Sequence, residues 1–79
     1  MVTPESIKHN IEQGMQTAYL TVTGDGAHFE AIVVSEEFAG KSRVQRHQRV
    51  YQTLGDRMRE EIHALSMKTF TPQEWGSSR

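Results

Sequence analysis

The chain contains no cysteine. That excludes a disulfide scaffold, every thiolate-based zinc site and a cysteine nucleophile. No apolar stretch approaches the roughly 18 residues that span a bilayer as a helix. Neither sign of charge dominates: nine Lys and Arg stand against ten Asp and Glu, for a net charge of −1 and a pI near 6.4. A dominant nucleic-acid footprint would normally make the domain strongly basic. Met1-Val2-Thr3-Pro4-Glu5-Ser6 lacks the basic-then-apolar opening of a signal peptide, so a cytoplasmic location with no membrane anchor is the expectation. Catalytic motifs are missing as well. There is no Gly-x-Ser-x-Gly elbow, and Gly24-Asp25-Gly26 sets a carboxylate where a phosphate loop would hold its anion. Glu60 and Glu61, adjacent on a helix, would point about 100° apart and form no acid–base pair. The expectation is a protein that is not an enzyme.

Seventy-nine residues, 35% hydrophobic and 24% charged, suit one small globular domain over residues 1–79. A chain this short buries only about 60% of its unfolded surface. Modest stability follows, with a monomer or weak homodimer when the chain is alone.

Thr3-Pro4-Glu5 marks a helix start, with a Thr cap, Pro in the first turn and an acid beside it. Ile7, Ile11 and Met15 continue the buried stripe to a stop near Gly14. Ala18 to Thr23 alternates with period two, Gly24-Asp25-Gly26 turns the chain, and Phe29, Ala31 and Val33 alternate again. Together these predict a β-hairpin with His28 just past its tip. Ser42 caps a helix whose apolar stripe is expected at Val44, His47, Tyr51 and Leu54. Gly55-Asp56 bends the chain into a second helical segment carrying Met58 and Ile62. Leu65 and Met67 alternate with Ser66 and Lys68 in a third strand, and Thr71-Pro72-Gln73-Glu74 is a capping box that returns Trp75 to the body. The order α-β-β-α-α-β predicts an α+β fold, a three-stranded sheet with helices packed on one face. Its expected core is Ile7, Ile11, Leu20, Val22, Phe29, Val33, Val44, Tyr51, Leu54, Met58, Ile62, Leu65 and Met67.

Two features carry the functional reading. The first is histidine. A single imidazole without thiols nearby cannot close a metal site, but it can be one donor in a site shared with another protein. His63, beside Ile62 at the end of the second helical segment, is either such a donor or a capping group favoured by the helix dipole. His28 is a ligand or simply an exposed loop residue. His47, between Val44 and Tyr51, reads as a structural histidine that at most orients the site from behind. His9 faces solvent. The second feature is basic: Arg43, Arg46 and Arg49 step by three along one helix and join Lys41 in a positive ridge. That ridge is either a solvated face or a surface for phosphates or partner carboxylates. RNA binding through a GXXG loop is excluded, because the bend reads Leu54-Gly55-Asp56-Arg57.

In this order, several motifs resemble the BolA family, in the form of its IbaG-like branch. They are Gly24-Asp25-Gly26 with His28-Phe29, Phe38-Ala39-Gly40-Lys41-Ser42-Arg43-Val44, Arg46-His47 with Val50-Tyr51 and Leu54, Ile62-His63-Ala64-Leu65, and Thr71-Pro72-Gln73-Glu74-Trp75. The resemblance implies a fold related to the type II KH domain. It also implies a monothiol glutaredoxin of the CGFS type as partner, with a [2Fe-2S] cluster bridging the two proteins. His63 is then the principal metal ligand and His28 the second, while the glutaredoxin cysteine and glutathione supply the thiolates. A nitrogen donor on such a cluster raises its potential and makes it sensitive to pH. Lys41, Arg43, Arg46, Arg49 and Trp75 become the expected partner or DNA surface, because the family is also described as regulating transcription.

Overall fold

The computed structural model describes residues 2–58 and 64–78, apart from the side chains of residues 57, 58 and 78. Helix α1 spans Pro4–Gly14, strand β1 Tyr19–Gly24 and strand β2 Phe29–Val34. Helix α2 spans Arg43–Leu54, strand β3 Leu65–Phe70 and helix α3 Pro72–Ser78. Short 3-10 turns occupy Glu36–Phe38 and Gly55–Met58. The three strands run in the order β1-β2-β3, with β1 antiparallel to β2 and β2 parallel to β3. This is the α+β architecture expected from the pattern. Most of the second middle helix, with Ile62 and the Met58 side chain, lies outside the described residues.

Local chemistry sets the element boundaries. Thr3 caps α1 by accepting from the Ser6 amide at 3.1 Å, and Ser6 closes a reciprocal box. Ser42 and Gln45 do the same for α2. Thr71 and Glu74 do so for α3, through bonds of 2.9 and 3.1 Å. Each box satisfies two amide donors that a helix start would otherwise leave unpaired.

Ile7 and Ile11 of α1 and Val50 and Leu54 of α2 pack onto one sheet face. That face carries Leu20, Phe29, Ala31, Val33, Leu65 and Met67, joined by Phe38 from the 3-10 turn. Of the expected core, Val22 and Tyr51 are only half-buried and flank this cluster. The expectation for Val44 is overturned, since it is 65% exposed. At 100° per residue Val44 lies about 120° around α2 from Val50, and the buried arc centres on Val50 and Leu54 rather than on the 44-47-51-54 row. Arg43 lies on the same side as Val50, seven residues on, yet is exposed. The first turn of α2 therefore overhangs the core.

Helix α3 treats the sheet differently from the two long helices. Tyr19, Val34 and Phe70 align across the strands on the face away from α1 and α2. Trp75 stacks on Tyr19 at 5.2 Å and tilts against Phe70 at 5.3 Å between ring centroids. Val34 is 1% exposed as a result. The remainder of that face, Thr21, Thr23, Glu30, Ile32, Ser66 and Lys68, has no helix over it.

Candidate functional site

The hairpin tip is built around one carboxylate. Asp25 Oδ1 accepts from the amides of Ala27 and His28, both at 2.9 Å, while the Asp25 amide donates to the His28 carbonyl at 3.2 Å. Gly26 supplies the positive φ of 95° that the turn needs. Those amide bonds, from His28 first and then Ala27, hold the Asp25 carboxyl below its usual range. The backbone at His28 is thus pinned at both its amide and its carbonyl, and its exposed ring makes no hydrogen bond among the described residues. An imidazole fixed at its root and open at its tip is available to a metal held by another molecule.

Strand pairing brings a second segment to the same place. Phe29 opens β2 opposite Leu65, which opens the parallel strand β3. His28 and Ala64 therefore both sit one step before the paired ends, at one rim of the sheet. His63, the principal ligand expected, precedes Ala64 and lies outside the described residues. Among the described residues, no three His, Asp or Glu side chains converge as a metal site. The donors at this rim fit a [2Fe-2S] cluster only in the sense that they are nitrogen, with all sulfur supplied from elsewhere.

His47 is half-buried on α2. Burial, and then the nearby Arg43 charge, push its pKa below the ordinary 6.5. It lines the groove between α2 and β3 together with Met67 and Thr69, toward the far end of β3 from the rim. The structure does not bring it together with His28.

The basic ridge divides in two. Arg46 is largely buried, its side chain 14% exposed, and both of its terminal nitrogens bind Glu74 at 2.7 and 3.1 Å. Its Nε donates to the Lys41 carbonyl at 3.0 Å, and its guanidinium lies 5.9 Å over the Phe38 ring. Glu74 falls to a pKa of about 2, chiefly through Arg46 and then the Thr71 amide. Arg49 binds Glu37 at 3.0 Å and donates to the Gly14 carbonyl at 3.0 Å, satisfying an end carbonyl of α1. Glu37 is held below its usual pKa first by the Gln16 amide and then by Arg49. These two arginines are clamps inside the fold. Arg43 and Lys41 remain at the surface beside Lys68, a cation the ridge had not included. Trp75 is likewise occupied against Tyr19 and Phe70. The Thr71-Glu74 box was readable in the sequence; that Glu74 would also bind Arg46, 28 residues away, was not.

Residues 1–74 match the family model described as BolA-like protein. The chain belongs to the BolA family. A relative named DNA-binding transcriptional regulator BolA, from Haemophilus influenzae, is 46% identical over 52 residues. That match covers 66% of this chain and 50% of the relative, so the chain spans about half the length of that protein. The acid stress protein IbaG of Escherichia coli is 48% identical over 59 residues, 73% of this chain and 70% of IbaG. Among solved structures, a BolA homologue from Coxiella burnetii superposes with a TM-score of 0.82 at 45% identity, covering 96% of this chain and 99% of that one. The BolA fold and the described geometry thus agree. No helix among the described residues is long and apolar enough to cross a membrane.

Proposed function

We propose that this BolA-family chain is a non-enzymatic accessory factor of iron-sulfur cluster trafficking, working in the cytoplasm. It forms a heterodimer with a monothiol CGFS glutaredoxin. His28 and His63 supply imidazole nitrogen to a [2Fe-2S] cluster, and the glutaredoxin cysteine and glutathione supply thiolate. The cluster, when bound, contributes electron storage and a transferable iron-sulfur unit. The chain itself positions nitrogen donors and offers them to the partner's side. The observation that supports this most is the parallel register of Phe29 with Leu65, which sets His28 and the residue following His63 at one sheet rim.

The test is anaerobic reconstitution with a CGFS glutaredoxin and glutathione, read by visible absorption and circular dichroism. His63→Ala should abolish or shift the shared-cluster spectrum, and His28→Ala should alter it, with far-UV circular dichroism unchanged in both. An unaltered visible spectrum for His63→Ala defeats the ligand assignment. Calorimetry of the cluster-free proteins separates cluster binding from simple association, because the apo complex should form without His63.

A DNA-binding regulator is the second reading, supported by the printed name of the Haemophilus relative and by the exposed position of Arg43 with Lys41. With Arg46 and Arg49 committed to Glu74 and Glu37, few cations remain for phosphate, so any such binding would be weak and steeply salt-dependent. Absence of a gel shift at physiological salt removes it. A shift that survives replacement of all three arginines by Ser removes the assigned surface.

A further inference from the structure

Strand β3 is an edge strand, and its free side is chemically uncommitted. In a parallel pair the groups facing the neighbour come from alternate residues. The Ser35 amide donates to the Phe70 carbonyl at 2.9 Å, which assigns the even-numbered residues of β3 to the β2 side. The amide and carbonyl groups of Met67 and Thr69 then face outward. Arg46 reaches the Thr69 carbonyl in a long 3.5 Å contact, which confirms that orientation. The outward pair on Met67 has no partner among the described residues.

Two hollows flank this edge, one on each face of the sheet. A groove of 400 Å³ lies between α2 and β3, lined by Lys41, Arg43, His47 and Met67 among others. A second hollow of 410 Å³ lies on the uncovered sheet face, lined by Thr23, Ile32, Arg43 and Lys68 among others. Arg43 and Lys68 border both. The overhanging first turn of α2 is what puts Arg43 there. Arg46, the remaining cation of the groove, is neutralised by Glu74. Lys41, Arg43 and Lys68 form no salt bridge among the described residues, so in a chain of net charge −1 this edge is a local excess of positive charge.

We propose that the free edge of β3 is a docking site for an acidic, extended segment of a partner protein, which adds to the sheet as a fourth strand. An added strand points alternate side chains to opposite faces, and the two hollows stand ready for one set each. Its backbone meets the outward groups of Met67 and Thr69, and its carboxylates meet Lys41, Arg43 and Lys68. Single-stranded nucleic acid fits less well. It needs free aromatic platforms for its bases, and the ring at this groove, Phe70, is packed against Trp75. The site lies along β3 away from the rim that carries His28, so it is independent of the cluster reading.

The experiment uses the full chain and a fluorescein-labelled eight-residue peptide alternating glutamate and valine, followed by anisotropy and by amide hydrogen exchange. Binding should slow exchange of the Met67 amide at least tenfold, leaving the inward amides of Ser66 and Lys68 unchanged. The same peptide N-methylated at alternate backbone nitrogens should bind at least tenfold more weakly to the unaltered protein, a comparison no folding defect can confuse. Arg43→Glu combined with Lys68→Glu, both at exposed positions, should weaken the parent peptide at least tenfold. The proposal is overturned by equal binding of the N-methylated peptide, by full affinity in the double variant, or by no peptide binding at all. It is also overturned if oligothymidylate binds more tightly and protects the same edge.

Discussion

Gly14→Ala tests how α2 is aimed over the sheet, and opposing magnitudes make its sign informative. Helix propensity alone predicts a gain of up to about 1 kcal/mol when Gly is replaced by Ala inside a helix. In the structure, a Cβ at Gly14 would stand 2.8 Å from both Cβ and Cγ2 of Thr53 and 3.2 Å from Thr53 Cα. Two of those three atoms are fixed to the α2 backbone by at most one bond, so rotating the Thr53 side chain relieves only the contact with Cγ2. The helices must separate, and overpacking of this kind costs about 1–3 kcal/mol. Steric cost exceeds propensity, especially at a helix end where the propensity gain is smallest. A net loss of about 1–2 kcal/mol is expected, which for a domain of this size lowers Tm by at least about 4 °C. Urea and thermal melts followed by far-UV circular dichroism measure it. In a Thr53→Gly background the obstructing atoms are gone and the same substitution should become neutral or stabilising, a coupling of about 1 kcal/mol or more in a double-mutant cycle. If Gly14→Ala is as stable as the parent, the close approach of α1 and α2 is not what holds them.

Phe38→Ala should cost about 3–5 kcal/mol by urea denaturation, because the ring is 0% exposed at the centre of the core and under the Arg46 guanidinium. Val44→Lys should change stability by no more than about 0.5 kcal/mol, despite removing an apolar residue from the apparent helix stripe. Arg46→Gln should loosen α3 and shift the fluorescence of Trp75, the sole tryptophan, which a clamp through Glu74 requires and a free surface cation does not. Acid should destabilise the fold in two stages. The folded pKa of His47 is depressed, so the unfolded chain takes up a proton first, and stability falls as pH drops through about 6.5. Glu74 stabilises fully above its ordinary 4.5, and that contribution is lost as pH falls from there toward 2. Stability profiles of His47→Gln and Glu74→Gln should each lack the corresponding stage.

Local order was legible wherever a signal was complete within a few residues. Thr3-Pro4, Ser42 and Thr71-Glu74 announced their helices because a cap and its partner lie within one turn. The alternation in β1, β2 and β3 gave the correct core face for Leu20, Phe29, Val33, Leu65 and Met67. Val44 was misplaced because periodicity reports only which residues share a helix side, and the core claimed a neighbouring arc centred on Val50. Gly14 carries a stop signal in sequence, yet its role is to admit Thr53.

Sequence by itself determined the family, the element order, the caps and the lack of any sulfur donor. Those properties depend on residue identity and short-range geometry, which the linear order contains. Tertiary structure alone decided that Phe29 lies beside Leu65, that Arg46 and Arg49 are held by Glu74 and Glu37, and that β3 keeps a free, positively flanked edge. Each of these joins residues 12 to 36 positions apart. Contacts at that range exist only once the core has closed, because until then the entropy of the intervening loop opposes them.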